Sequence, residues 1–211
     1  MDHPSVTIIS SRPKSGKSYL IKYLCYYVTQ NKIVDNIYCF TGTAFSNDYN
    51  YLPKHSVTST YNIEKVKAIV RYQINRIKKG KAKNILIVFD DVMGLKKEMK
   101  EPMWAKLISE YRHYKISFIF SVQYIKGITT PLFRSCTRYV ILFRTLDNTS
   151  VKSLYESFMM DMPSIKGTYN FISRNTEMKY NFIFIDRYAD DNEKYSVLRA
   201  PEKLPNYKIK F

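Results

Sequence analysis

Short runs of mostly apolar residues, set apart by stretches of helical periodicity, constrain the fold of this chain more than any other feature. Val6–Ile9, Asn36–Phe40, Ile85–Phe89, Ile116–Val122 and Tyr139–Phe143 are such runs. Each is too short for a helix or a membrane span and reads as a strand buried on both faces. Between them, Leu20, Ile21, Leu24 and Val28 recur at helical spacing, as do Ile63, Val66, Ile69, Val70, Ile74 and Ile77. Helices are therefore expected from Lys17 to about Val28, over Ile63–Lys79, over Pro102–Tyr111 and from Thr149 to Met160. Strands alternating with helices predict an α/β fold with a mostly parallel central sheet flanked by helices and right-handed crossovers. The end of the chain breaks the pattern. Tyr169–Ser173 and Tyr180–Ile185 flank the polar stretch Arg174–Lys179 and are expected to pair as a C-terminal antiparallel hairpin. The tail from Ala200 has little periodicity. A single domain is expected over 1–211, with a core over 1–188 and an extended arm over 189–211.

Charge narrows the partners. Lys and Arg number 34 against 18 Asp and Glu, a formal net charge of +16. That excess favours a polyanion, with nucleic acid ahead of an anionic membrane surface. Cys25, Cys39 and Cys136 are odd in number and widely spaced, which argues against a disulfide framework or a zinc site. His3, His55 and His113 show no metal-ligand spacing. Charged and polar residues follow Met1 at once and no apolar run could span a bilayer, so a soluble, intracellular protein without a membrane partner is expected.

The first strand runs into Ser11-Arg12-Pro13-Lys14-Ser15-Gly16-Lys17-Ser18-Tyr19, which opens a helix. Strand, turn and helix are the setting a phosphate-binding P-loop requires, because backbone N–H groups around Gly16 and the helix N-terminus can wrap a phosphate chain. Lys17 would reach the β- and γ-phosphates of ATP, and the Ser18 hydroxyl would ligate Mg²⁺. The motif usually begins with Gly, and Ser11 stands there, where serine would meet some strain. Ile85–Phe89 then ends in Asp90-Asp91. In P-loop ATPases such a pair divides the labour: Asp90 would hold Mg²⁺ through water, and Asp91 would orient and deprotonate the attacking water. Gln123, at the tip of Ile116–Val122, could touch a γ-phosphate there, but on its own it reads as a polar loop residue.

These motifs, with Tyr111-Arg112-His113-Tyr114-Lys115-Ile116-Ser117 running into Ser121-Val122-Gln123-Tyr124 and then Pro131-Leu132-Phe133-Arg134, resemble the FtsK–HerA superfamily of P-loop NTPases. Within it they are most similar to the poxvirus-type genome-packaging ATPases. The resemblance spans roughly Val6 to Ile185. It implies an ATPase in a homo-oligomeric ring, hexameric or pentameric, with ATP bound between neighbours. Gln123 would be the sensor and Arg112 the trans-acting arginine finger, with Arg134 and Arg138 as second candidates. A salt bridge from Arg112 to Glu110, or a charge at a helix C-terminus, is the competing structural role. The function implied is ATP-driven translocation of double-stranded DNA into a viral capsid, with a capsid, portal or vertex protein as partner, in the host cytoplasm (a viral factory) or the virion. With no nuclease, anchor or DNA-reading module expected, a bare motor fits.

A translocating motor must grip phosphates without reading bases. Lys96, Lys97 and Lys100, just after Asp91, and Lys78, Lys79 and Lys81, with Lys83 beside them, are the candidate DNA contacts. Two other functions compete: a small P-loop nucleotide or nucleoside kinase, and a basic DNA-binding subunit with an inactive ATP site.

Overall fold

The computed structural model describes residues 2–43, 47–91, 102–127, 130–204 and 206–211. Among them are β1 (Val6–Ser10), α1 (Lys17–Gln30), β2 (Asn36–Thr41), β3 (Val57–Thr58), α2 (Ile63–Lys78) and β4 (Ile85–Asp90). There follow α3 (Pro102–Glu110), β5 (Ile116–Val122), α4 (Pro131–Cys136), β6 (Tyr139–Phe143), α5 (Asn148–Phe158), α6 (Ile165–Asn175), β7 (Asn181–Asp186) and β8 (Tyr195–Arg199).

All the strands join one eight-stranded sheet in the order β3-β2-β4-β5-β1-β6-β7-β8. Neighbours from β3 to β6 are parallel, while β7 runs antiparallel to β6 and β8 antiparallel to β7. The expected mostly parallel sheet with an antiparallel C-terminal hairpin is thus present. β5 lies between β1 and β4, so the ends of these three strands stand side by side: Ser10 is level with Val122, and Asp90 with Ser121.

The sheet separates two cores, since successive side chains of a strand point to opposite faces. On one face Ile87, Phe89, Phe118 and Phe120 pack with Trp104, Leu107 and Phe133 from α3 and α4, and with Leu154 and Ile172 from α5 and α6. Trp104 meets the rings of Phe89, Phe118 and Phe120 edge-on, and its indole N–H donates to Tyr61 Oη at 2.8 Å. The other face carries α1, through Leu20, Ile21, Leu24 and Val28, together with Tyr49, Tyr51, Leu52 and Ile209.

Two expectations need correction. Tyr169–Ser173 is not a strand but lies inside α6, and the hairpin partner of β7 is β8. The Ser164 hydroxyl caps α6 by accepting from Gly167 N at 3.0 Å, and Ile165, Tyr169 and Ile172 follow at helical spacing. A cap of this kind is worth about 1 kcal/mol, and it outweighs the β-propensity of Tyr169 and Phe171. The stretch 189–211, expected as an arm, includes β8. Beyond it the chain without regular structure lies back on the protein: Ile209 N donates to Tyr51 O at 2.8 Å, and the Tyr207 hydroxyl donates to Lys22 O at 2.5 Å.

Candidate functional site

The turn after β1 is shaped by two left-handed residues. Gly16 caps α1 at φ 97°, and Lys14 stands at φ 60°. A Cβ on Gly16 would come within 2.9 Å of the Tyr180 ring, so both conformation and space require glycine there. Ser11 is fully buried with its N–H on Val122 O at 3.1 Å. It is not among the residues of positive φ, so the strain expected at Ser11 falls instead on Lys14.

At the end of β4, Asp90 is 1% exposed and lies against the first turn of α1. Lys17 Nζ is 3.4 Å from Asp90 Oδ1, and the Ser18 hydroxyl donates to Oδ2 at 3.1 Å. The Tyr49 hydroxyl also donates to Oδ2. Burial of Tyr49, and secondarily the charge of Asp90, push its phenol far above the usual range, so it stays a donor. Asp90 Oδ1 has no hydrogen-bond donor among the described residues. A buried carboxylate with one oxygen held only by a cation's field, next to a serine hydroxyl, is a donor set suited to a hard divalent cation such as Mg²⁺.

Asp91 takes a left-handed conformation at φ 55°, one that aspartate tolerates better than most residues. Its Oδ1 accepts from Gln123 Nε2 at 3.0 Å. The sheet order brings this about: β5 separates β4 from β1, so its tip lies between the Asp90-Asp91 corner and the Ser11–Ser18 turn. One cluster therefore holds Lys17, Ser18, Asp90, Asp91 and Gln123. Arg12 lies at the margin, 3.9 Å from Asp147. A cavity of about 500 Å³ opens beside the cluster, lined by Arg12, Pro13, Lys14, Gly16, Lys17, Ser18 and Tyr19 on one side.

The arginines lie elsewhere. Arg112 precedes β5 and so stands at the other end of the strands, about 20 Å away at ~3.3 Å per strand residue. Its Nε donates to Tyr111 Oη at 3.0 Å and its Nη2 to Tyr188 Oη at 3.1 Å, with both rings within stacking reach of the guanidinium. The salt bridge to Glu110 is not formed, because Glu110 accepts the Tyr114 hydroxyl. Arg138, at the same end, is ion-paired to Asp2 and Asp186. Arg134 is on α4, over the sheet face opposite α1, with Nη1 at 3.5 Å from Glu156 O. Lys78 ends α2, and Lys79 and Lys81 follow it at the Arg112 end of the sheet, all exposed. Lys96, Lys97 and Lys100 lie outside the described residues.

Tyr49 escaped sequence reading. It stands in a short turn far from any motif, and only the pairing of β2 with β4 carries that turn to Asp90. Tyr188 escaped it too, since it reaches Arg112 only through the antiparallel return of β7.

The strand order, the glycine-capped turn and the acidic corner define a P-loop NTPase in which an extra strand separates the phosphate-loop strand from the acidic one. A family model described as the poxvirus A32 protein matches residues 5–203. The chain belongs to that family. Among curated proteins it is 24% identical, over 90% of its own length and 74% of the other's, to uncharacterized protein 075L of Invertebrate iridescent virus 6. Among solved structures it is similar to the genome packaging NTPase B204 of Sulfolobus turreted icosahedral virus 2. The sulfate complex superposes at TM-score 0.72 with 17% identity, covering 97% of this chain and all of that one. The complex of the same protein with ATP-γS gives 0.65 at 17% identity, covering 92% and 96%.

Proposed function

We propose that this protein is an ATP-driven translocase that packages double-stranded viral DNA, working as a homo-oligomeric ring docked on a capsid, portal or vertex protein. The observation that carries the reading is the single cluster of Lys17, Ser18, Asp90, Asp91 and Gln123 at the ends of three adjacent strands. Family membership over 5–203 and the fold shared with a packaging NTPase support it.

The roles follow from position. Backbone N–H groups of the turn and Lys17 hold the β- and γ-phosphates. Ser18 and Asp90 hold Mg²⁺, which neutralises phosphate charge when bound. Asp91 takes the proton of the attacking water, and Gln123, already bonded to Asp91, aligns that carboxylate and responds to the γ-phosphate. Arg112 is too far from its own subunit's phosphate loop to act there, so it serves a neighbour's site as the arginine finger. Arg134, stationed over the opposite face, is the lesser candidate, and Arg138, already neutralised by two carboxylates, is lesser still. The lysines at 78, 79 and 81, with those at 96, 97 and 100, supply sequence-independent grip on phosphates. The site of action is the viral factory in the host cytoplasm, or the virion.

Steady-state ATP hydrolysis with and without long double-stranded DNA tests this. Stimulation by DNA that fades as salt rises is expected. Turnover that ignores DNA but needs a nucleoside or nucleotide acceptor would replace this reading with a kinase, and tight DNA binding without turnover would replace it with an inactive binding subunit.

A further inference from the structure

The cavity beside the phosphate loop has a second wall that none of the motifs explains: Tyr180, Arg199, Ala200, Pro201 and Glu202. These residues come from the start of β7 and the end of β8, which the sheet register holds together. Asn181 is level with Arg199, and Ala200 N donates to Tyr180 O at 3.1 Å. Tyr180 stands at φ 70°, a conformation unusual for a bulky residue. It places the ring directly over Gly16 and leaves it 37% exposed. Lys179 Nζ lies 4.8 Å from the ring centroid. Arg199 and Glu202 pair at 3.2 Å along the open rim.

Among the described residues, the cavity leads from the turn toward Tyr180 and residues 199–202. The inner end of a triphosphate seated on the turn would meet Lys17, Ser18 and the buried Asp90, which directs the nucleoside along this cavity toward residues 180 and 199–202. The cavity of about 500 Å³ is mostly apolar in lining and falls in the size range of small-ligand sites. We propose that Tyr180 and Pro201 form the base-binding half of the nucleotide site, the base lying against the tyrosine ring and the proline, with the Arg199–Glu202 pair closing the rim over the ribose. The C-terminal hairpin is then part of the ligand site, not only an edge of the sheet. The inference rests on the phosphate loop binding a nucleoside triphosphate.

Binding is the test, with ATP and inorganic tripolyphosphate titrated separately onto the full chain by calorimetry. The tripolyphosphate has the phosphates without the nucleoside, so the ratio of the two affinities isolates the base site. Tyr180→Ala is expected to weaken ATP about tenfold, in line with loss of an aromatic stacking partner, while tripolyphosphate binds as before. Pro201→Ala, in a segment without regular structure, should weaken ATP about threefold with the same selectivity. An unchanged ratio in both variants overturns the proposal. So does equal loss of the two ligands, which would mean that Tyr180 only shapes the turn. Wild-type protein that binds tripolyphosphate and ATP equally well would also overturn it, while leaving the phosphate-loop reading intact. Failure of the wild type to bind either ligand would remove both.

Discussion

At the carboxyl ends of β1, β4 and β5 a buried carboxylate is surrounded by donors: an ammonium, a serine hydroxyl and a tyrosine hydroxyl converge on Asp90. At the amino end of β5 the arrangement is reversed. Arg112 is held by two phenol hydroxyls and two ring faces, and among the described residues no carboxylate pairs with it. At the first end Asp90 faces a cation of the same chain. The second keeps a cation fixed in direction with its charge uncompensated. An arginine that neutralised itself on Glu110 or Asp186 would have less to offer an external anion, and Arg138, bound to Asp2 and Asp186, shows what that alternative looks like. The contrast teaches that fixing a cation and neutralising it are separable: ring faces and hydroxyls do the first without the second.

The sharpest way to break the contrast is at Lys17. Lys17→Ala should abolish measurable ATP binding, a loss of at least about a hundredfold by titration, because it removes the charge that faces both Asp90 and the phosphates. Arg112→Ala should leave ATP affinity as it is and lower turnover about a thousandfold. Mixed rings of Arg112→Ala with Asp91→Asn subunits should recover part of that turnover. No recovery in rings shown to be mixed would place the finger elsewhere, with Arg134 next in line.

Smaller changes sharpen the comparison. Tyr49→Phe removes one hydroxyl from Asp90 and keeps the ring. It should raise the Mg²⁺ concentration needed for half-maximal hydrolysis about tenfold, as loss of a partner to a metal-holding residue does elsewhere. An unchanged Mg²⁺ requirement would make the Tyr49 contact a packing detail. The smallest effect belongs to His3, at the Arg112 end. Its Nε2–H donates to Lys115 O at 3.1 Å, and its Nδ1 accepts from the Ser117 hydroxyl at 2.7 Å. Burial holds its pKa below the usual 6.5. The unfolded chain therefore takes up this proton first as pH falls below 6.5, so stability present above that value is lost as pH falls through the folded pKa. Thermal midpoints between pH 7 and 5 should fall less steeply for His3→Gln than for the wild type.

Much of this was visible in the sequence where a residue's neighbours decide its state. The apolar runs of β1, β4, β5 and β6 declare strands because both faces of a central strand are buried. The turn from Ser11 to Ser18 declares itself because its chemistry is contiguous. β8 was hidden, being an edge strand with Val197 and Leu198 exposed, so no apolar pattern marks it. The α6 helix was hidden behind residues that favour strands, and only the Ser164 cap and the spacing of Ile165, Tyr169 and Ile172 distinguish it. Tyr49 at Asp90 and Tyr188 at Arg112 were out of reach, since each contact depends on which strands are neighbours and not on anything near the residue in the chain.

One strand joins the two ends. Directly before β7 stands Tyr180, which leans on the phosphate loop, and two residues past its end stands Tyr188, which holds Arg112. β7 is hydrogen-bonded along both edges, to β6 and to β8. The six residues of β7 span about 20 Å. On the proposed function, in which a nucleotide fills the pocket and Arg112 serves a neighbour, this strand is a direct covalent link between the two.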